Sequence, residues 1–279
     1  MARLQRSLAT LLALPIASLA IRIPDIGLPS VPGNTTCASL MYLSRGYLIQ
    51  YNSLYRVDLQ TGAYEEVASA VTDSNNVNAI GYNHLDNYIY GIANPTRQLV
   101  RVSSRGEATV VSTFTQAQMG AGANVGDVDS DGYFWFGSGG SSWHQVDLRT
   151  PGSPTYGTIV ARGTANTLGL SVADWVHIPV AGPYLWGVAV GVVGGGSGTT
   201  LMRFGLETKR WEAVARYPVL TQGGFGALYG INNGTLYASN NAGGEIWAFN
   251  VLGGDPYLAS NGPASGSNDG ARCVLNMLD

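Results

Sequence analysis

Three polar side chains occupy the same position relative to a recurring glycine. Asn78, Asn124 and Asp174 each lie thirteen residues before a glycine that follows a run of aromatic or β-branched residues. Amide and carboxylate oxygens that converge on one point suit a hard cation such as Ca²⁺, or the hydroxyl groups of a sugar. Alternatively, they hydrogen-bond to neighbouring backbone or to water. The three glycines are Gly91, Gly137 and Gly187.

Further polar residues extend this set. The same alignment, made on Ala238, places Phe225 at the equivalent position, and the C-terminal segment offers Asn268 or Asp269. Asp127, Asp174 and Asp269 could also converge as the acids of a glycosidase, although no glutamate falls at these positions. The metal set is Asn78, Asn124 and Asp174. The full expected ligand-binding set is Asn78, Asn124, Asp127, Asp174, Phe225 and Asp269.

A six-residue pattern that occurs five times indicates which elements hold these residues. The copies begin 45, 44, 58 and 45 residues apart, and a unit of this length made of short strands is typical of a β-propeller blade. We therefore predict an all-β propeller of five blades, with the glycine-rich stretch 191–200 absorbing the longest step. Six blades would require one blade without the pattern and remain the alternative. The copies are LYRVDL (54–59), LVRVSS (99–104), WHQVDL (143–148), LMRFGL (201–206) and IWAFNV (246–251).

The strands of a blade are clearest in the second repeat. Alternating apolar residues bounded by Asn, Gly, Asp and Pro predict strands at 77–82, 88–92, 98–103 and 108–114. The first strand of each blade is expected to line the central channel, where ligands of propellers usually bind. The bulky second strands, such as 134–137 and 184–187, are expected to fill the space between blades.

The two ends of the chain are expected to close the ring. Residues 269–273 look like a first strand with nothing after it, whereas the N-terminal repeat lacks a good first strand. We therefore expect the C-terminal strand to complete the N-terminal blade. This would bring Cys273 close to Cys37, the only other cysteine, and predicts a disulfide across the seam in an oxidising compartment.

Two stretches resemble known propellers. The segments 124–137 (NVGDVDSDGYFWFG) and 78–83 (NAIGYN) resemble metal-binding blades of the gluconolactonase and senescence-marker-protein propellers. That resemblance implies six blades, a divalent ion on Asn78, Asn124 and Asp174, and lactonase activity; Asp269 is a possible substitute for the family's glutamate. Over the whole mature chain the sequence is more similar to fungal secreted propeller-like proteins known only as a domain of unknown function. The pieces that carry this similarity are LYRVDL, NAIGYN, GDVD and the terminal NDGARC.

A second calcium motif is possible at residues 127–132 (DVDSDG), which match the front half of a calcium-binding loop. The position that should supply a bidentate glutamate is Ser138, so the segment is not an EF-hand. Its place in the repeat favours a hairpin turn with Asp-Gly at the tip.

The N-terminus and the composition indicate an exported protein. Residues 1–20 have a basic start and an apolar run ending in Ser-Leu-Ala, which is typical of a signal peptide. We expect residues 21–36 to form an extended lead-in and residues 37–279 a single propeller domain. Asn34 and Asn233 begin N-glycosylation sequons. No other run is long and apolar enough for a membrane span. The chain has 12% charged residues, a net charge of −3 and no basic cluster, which argues against nucleic acid as a partner. We expect a monomer.

The sequence therefore favours a secreted, non-catalytic propeller that holds a glycan or cell-wall component at the channel mouth. A metal-dependent lactonase or hydrolase, with Ca²⁺ or another divalent cation in the channel, is the alternative. Binding is favoured over catalysis because no acid or base stands beside the expected ligands.

Overall fold

Five sheets of four antiparallel strands make up the fold. The computed structural model describes residues 37, 45–120, 122–220, 223–273 and 275, so the predicted signal peptide, lead-in and Asn34 sequon lie outside the described residues. The strands are β1 (Arg45–Gln50), β2 (Ser53–Asp58), β3 (Tyr64–Ala68), β4 (Asn76–Asn83), β5 (Tyr88–Asn94), β6 (Gln98–Val102), β7 (Ala108–Thr113), β8 (Val125–Val128), β9 (Tyr133–Ser138), β10 (Ser142–Asp147), β11 (Ile159–Thr164), β12 (Val172–His177), β13 (Tyr184–Val190), β14 (Thr199–Gly205), β15 (Trp211–Tyr217), β16 (Phe225–Gly230), β17 (Thr235–Asn240), β18 (Glu245–Asn250), β19 (Tyr257–Asn261) and β20 (Asn268–Ala271).

Each sheet is one blade of a propeller. Blade 1 has the order β20-β1-β2-β3; blades 2, 3, 4 and 5 are β4 to β7, β8 to β11, β12 to β15 and β16 to β19. The prediction of five blades is confirmed, and each six-residue pattern supplies the third strand of its blade. Between the strands lie the single helical turn α1 (Gln116–Met119) and a 3-10 turn (Pro179–Ala181).

The hydrophobic core lies between neighbouring blades. Because successive side chains on a strand point to opposite faces, Phe134 and Phe136 of β9 pack towards blade 2, whereas Trp135 packs towards blade 4. Tyr47 and Ile49 of β1 likewise face blade 2. The aromatic second strands therefore fill the space between blades, as predicted.

The ring is closed by the last strand. β20 pairs antiparallel with β1, with Leu48 opposite Gly270, so the C-terminal segment is the innermost strand of the N-terminal blade. A disulfide joins Cys37 to Cys273, with 5.7 Å between their Cα atoms. Both the closure and the disulfide are confirmed.

The long step between the third and fourth blades has two sources. The sequence attributes it to the glycine-rich stretch 191–200 alone. In the structure the extra residues are divided between the β13–β14 connection (191–198) and the β10–β11 connection (148–158), which is longer than its counterparts in the other blades. The second insertion was missed because it carries no run of glycines; Asp147 holds it through its bonds to Arg149 and Thr155.

Neighbouring inner strands approach each other closely where glycines stand. A Cβ atom on Gly81 of β4 would lie 2.6 Å from the Cα atom of Asp127 on β8, and one on Gly270 of β20 would lie 2.8 Å from the carbonyl oxygen of Leu228 on β16. Gly126 of β8 stands equally close to the backbone of Ala79. These glycines let the inner strands pack backbone against backbone around the axis.

We expect Gly81→Ala to lower the free energy of unfolding by about 1–3 kcal/mol, because the new methyl group would meet backbone that has no room to move. Chemical denaturation of both proteins measures this difference. Gly224→Ala is the matched control, since a Cβ there meets only the Ala173 side chain at an ordinary 3.8 Å. Equal stability of Gly81→Ala and Gly224→Ala would contradict the close packing of the inner strands.

Candidate functional site

Amide and hydroxyl side chains surround the end of the propeller at which the inner strands begin. Asn76 and Asn78 start β4, Asn268 starts β20, and Asn241 follows the strand paired with β16. We call this end the amide mouth and define it by Asn76, Asn78, Asn124, Asn241, Ser267 and Asn268.

Hydrogen bonds connect these side chains from blade to blade. The Nδ2 groups of Asn76 and Asn78 donate to the Ser267 hydroxyl oxygen at 2.8 and 3.3 Å. The Nδ2 group of Asn268 donates to Oδ1 of Asn241 at 3.0 Å. Each amide has two donor hydrogens and two acceptor lone pairs, so these bonds leave capacity for a ligand.

Asn124 stands between blades 3 and 4. Its Nδ2 group donates to the Ala173 carbonyl oxygen at 2.9 Å, and its Oδ1 accepts from the Gly139 N–H at 2.8 Å. The side chain is thereby fixed in position and is only half-buried. It can still present a hydrogen and a lone pair to the solvent side.

A groove runs past Asn124 on the amide-mouth end of blade 3. It consists of three clefts of about 610, 340 and 490 Å³, and the exposed Ser138 lines all three. Volumes of this order are typical of ligand sites. We call it the blade-3 groove and define it by Asn94, Asn124, Ser138, Ser171, Val188 and Val190.

The groove combines polar groups with one apolar wall. Asn124 and the hydroxyl groups of Ser138 and Ser171 offer hydrogen bonds, while Val188 and Val190 supply the apolar side. Arg97 and Arg162 are the charged residues among its described lining, which contains no carboxylate. The groove therefore suits a neutral or weakly anionic polar ligand.

Three aspartates lie around the propeller axis, and all three are buried. Asp127 is on β8, Asp174 on β12 and Asp269 on β20, each at most 2% exposed. Every one accepts hydrogen bonds from the backbone of the next blade. Asp269 accepts from the N–H groups of Ala79 and Ile80 at 2.5 and 3.1 Å.

The other two carboxylates repeat this arrangement. Oδ2 of Asp127 accepts from the His177 N–H at 2.6 Å, and Oδ2 of Asp174 accepts from the Leu228 N–H at 2.8 Å. Oδ1 of Asp174 also accepts from the Trp175 N–H at 2.7 Å. We call the three residues the carboxylate ring; it joins blade 1 to blade 2, blade 3 to blade 4, and blade 4 to blade 5.

Burial governs the protonation of the ring. It raises the pKa of each of these carboxyl groups well above its usual range, and the backbone N–H donors only partly oppose this. Repulsion from Asp127 raises the pKa of Asp174 further, and repulsion from Asp174 and Asp127 raises the pKa of Asp269. Each carboxyl group of the ring therefore binds a proton more tightly than an exposed aspartate does.

The residues predicted from the sequence thus divide into two groups. Asn78 and Asn124 lie at the amide mouth with partly exposed side chains. Asp127, Asp174 and Asp269 are buried and bonded to backbone. Phe225 is 0% exposed and packs against Phe249 between blades 4 and 5. Asn78, Asn124 and Asp174 each hydrogen-bond to a neighbouring blade.

A divalent cation does not fit the expected donor set as it stands. Both oxygens of Asp174 accept backbone N–H groups, and Asn124 points its oxygen at the Gly139 N–H. Among the described residues, no group of three or more His, Cys, Asp or Glu side chains could hold a metal ion. The DVDSDG segment forms the predicted turn, because the Gly132 N–H donates to the Asp129 carbonyl oxygen at 3.1 Å.

Sequence reasoning missed the groove. Ser138 ends β9 and is followed by Gly139 and Gly140, both with positive φ, which turn the chain into β10. The SGGSS segment that encodes this turn is visible in the sequence. Its position beside Asn124 follows from the pairing of β8 with β9, but the opposite wall of the groove, with Val188 and Val190, comes from blade 4.

A family model for a repeat of unknown function (DUF6923) matches residues 42–275. The chain belongs to the DUF6923 family. This agrees with the resemblance of the sequence to propeller-like proteins known only as a domain of unknown function. A search of curated protein sequences finds no match to this DUF6923 chain.

Solved structures similar to this DUF6923 propeller are distant. The nidogen/laminin complex is 10% identical with a TM-score of 0.49, and covers 83% of this chain and 79% of its own. Streptogramin B lyase is 16% identical with a TM-score of 0.43, covering 77% and 74%. A catalytically inactive virginiamycin B lyase from Staphylococcus aureus with quinupristin is 13% identical with a TM-score of 0.46, covering 77% and 70%. At these values they carry no information on the ligand of this chain.

Proposed function

We propose that this DUF6923 chain is a secreted propeller that binds a neutral glycan in the blade-3 groove and does not cleave it. The observation that carries the proposal is the junction of three clefts at Ser138, beside the fixed amide of Asn124. Connected clefts suit an extended ligand. Amide and hydroxyl groups next to a valine wall suit sugars, which present hydroxyl groups at their edges and C–H groups on their faces.

Binding is favoured over hydrolysis of the glycan. A glycosidase needs two carboxyl groups that flank the bond to be cleaved. The described lining of the groove has no carboxylate, and the carboxylate ring bonds to backbone beneath the surface. These features support recognition of the glycan in this groove without its hydrolysis.

Export is part of the proposal. The Cys37–Cys273 disulfide is typical of an oxidising compartment. No helix in the described residues is long and apolar enough to cross a membrane. Asn233 of the second sequon is exposed in the β16–β17 turn, where a glycan could be attached without disturbing the core.

The test is a glycan array followed by calorimetric titration of the best oligosaccharide, with Ser138→Trp as the variant. An indole at this exposed position would fill the junction, so we expect affinity to fall tenfold or more with an unchanged melting temperature. Thr109→Trp, on the exposed outer strand β7, is the matched control and should bind normally. Failure to bind any glycan, or equal affinity in Ser138→Trp, would refute the proposal.

A further inference from the structure

A serine and a histidine meet at the end of the propeller opposite the amide mouth. Ser130 lies in the turn between β8 and β9, and His177 ends β12 on the next blade. Oγ of Ser130 and Nε2 of His177 are 3.2 Å apart. This distance is typical of a nucleophile and its general base.

The tautomer of the histidine follows from its other nitrogen. Nδ1 of His177 lies 2.9 Å from the Tyr184 carbonyl oxygen, which can only accept a hydrogen bond, so Nδ1 carries the proton. Nε2 therefore has a free lone pair that accepts the Ser130 hydroxyl. The same arrangement, with a fixed base oriented by a third group, is how hydrolytic triads activate serine.

Burial separates the roles of the two residues. The His177 side chain is buried, and its backbone N–H is held by Asp127. Ser130, in contrast, is exposed at the tip of the turn. The base is thus rigid and shielded, while the oxygen that would attack is open to an approaching substrate.

The charges around His177 suit a histidine that takes up a proton during the reaction. Burial lowers the pKa of His177, which keeps the free imidazole neutral near pH 7, and the nearby Asp129 and Asp131 act in the opposite direction. Asp129 is fixed by the Trp135 Nε1–H at 2.7 Å. His84 also faces this group, and the two imidazoles oppose each other's protonation. Once a proton reaches His177, the two aspartates stabilise the imidazolium.

We propose that Ser130 and His177 form an acyl-transfer site that acts on esters with good leaving groups. The Ser130 oxygen attacks the ester carbonyl carbon while Nε2 of His177 takes the hydroxyl proton. The ester C–O bond then breaks, and the leaving alcohol receives that proton, which leaves an acyl group on Ser130. Water then attacks the acyl carbon while the same nitrogen takes its proton; the bond to Ser130 breaks, the carboxylic acid leaves, and the serine oxygen receives the proton.

A fluorophosphonate probe tests this site directly on the intact chain, with the modified residue identified by peptide mass spectrometry. We expect Ser130 to be labelled with loss of fluoride and Ser130→Ala to be unlabelled. Ser141 is the matched control serine, because it is equally exposed in a turn but its hydroxyl donates to the Ser138 carbonyl oxygen instead. It should remain unlabelled, and the Ser141→Ala variant should be labelled at Ser130 as fast as the wild type.

The His177→Gln variant tests whether Ser130 reacts because His177 activates it or only because it is exposed. Glutamine can still donate to the Tyr184 carbonyl oxygen, but it cannot take a proton, so labelling of Ser130 should slow at least a hundredfold. If this variant fails to fold, the pH dependence of wild-type labelling decides: the rate should rise with deprotonation of a group of pKa below 6.5 and then level off. An unlabelled Ser130, unchanged labelling in His177→Gln, or a rate that rises steadily with hydroxide would each overturn the proposal.

Discussion

Asp174→Ala is expected to lower the free energy of unfolding by about 2–6 kcal/mol. The carboxylate accepts the N–H groups of Trp175 and Leu228, which are both buried, and each buried donor left without a partner costs about 1–3 kcal/mol. The Leu228 bond also joins blade 4 to blade 5, so its loss weakens a contact between blades. Denaturant unfolding measures the effect.

The free energy of unfolding that Asp174→Ala removes should depend on pH. Burial raises the pKa of Asp174 above 3.8, so the folded state binds a proton more tightly than the unfolded chain. The contribution of this group to stability is therefore fully present below 3.8 and declines as the pH rises through the folded-state pKa. We expect Asp174→Ala to cost more near pH 4 than near neutral pH.

Glu66→Ala is the control for Asp174. Glu66 is an exposed carboxylate on β3, and its removal should change stability by no more than about 0.5 kcal/mol at either pH. If Asp174→Ala matched this control, the carboxylate ring would not hold the blades together. A cation as its partner would then have to be considered again, by comparing melting temperatures with Ca²⁺ and with a chelator.

Replacing Cys37 and Cys273 together by serine is expected to cost about 5 kcal/mol. The disulfide spans 236 residues, and chain-entropy arguments assign roughly this amount to a loop of such length. The Cys37 N–H also donates to Oδ1 of Asn87 in the β4–β5 turn. The bond therefore fastens the end of β20 beside blade 2.

Reduction of the wild-type protein provides the matching measurement. Its denaturation midpoint under reducing conditions should shift as far as that of the Cys37→Ser, Cys273→Ser variant, and the reducing agent should not affect the variant. A variant as stable as the oxidised wild type would show that β20 holds the seam without help.

The sequence allows the blade structure to be predicted almost strand by strand. In blade 2 the predicted 77–82, 88–92, 98–103 and 108–114 differ from β4 to β7 by at most two residues at any end. This succeeds because alternation of apolar residues and hairpin turns are local properties. Ring closure is also predictable, because the C-terminal segment has the pattern of a first strand without a partner.

The candidate sites are harder to predict because they are made between blades. The register of Asn78, Asn124 and Asp174 is visible in the sequence, but a residue that bonds to a ligand and one that bonds to the next blade give the same pattern. Only the close approach of β4, β8 and β12 distinguishes them. Likewise, Ser130 and His177 are 47 residues apart, and nothing local to either residue indicates that they meet.

Closure by β20 also governs the order in which the molecule can be completed during synthesis. Strands β1, β2 and β3 are made first, but the inner edge of β1 has no partner until the last residues of the domain have been translated. Blade 1 is thus the first blade to begin and the last to be finished. A truncation before Asn268 removes the inner strand of blade 1 and leaves the four strands of blade 5 intact.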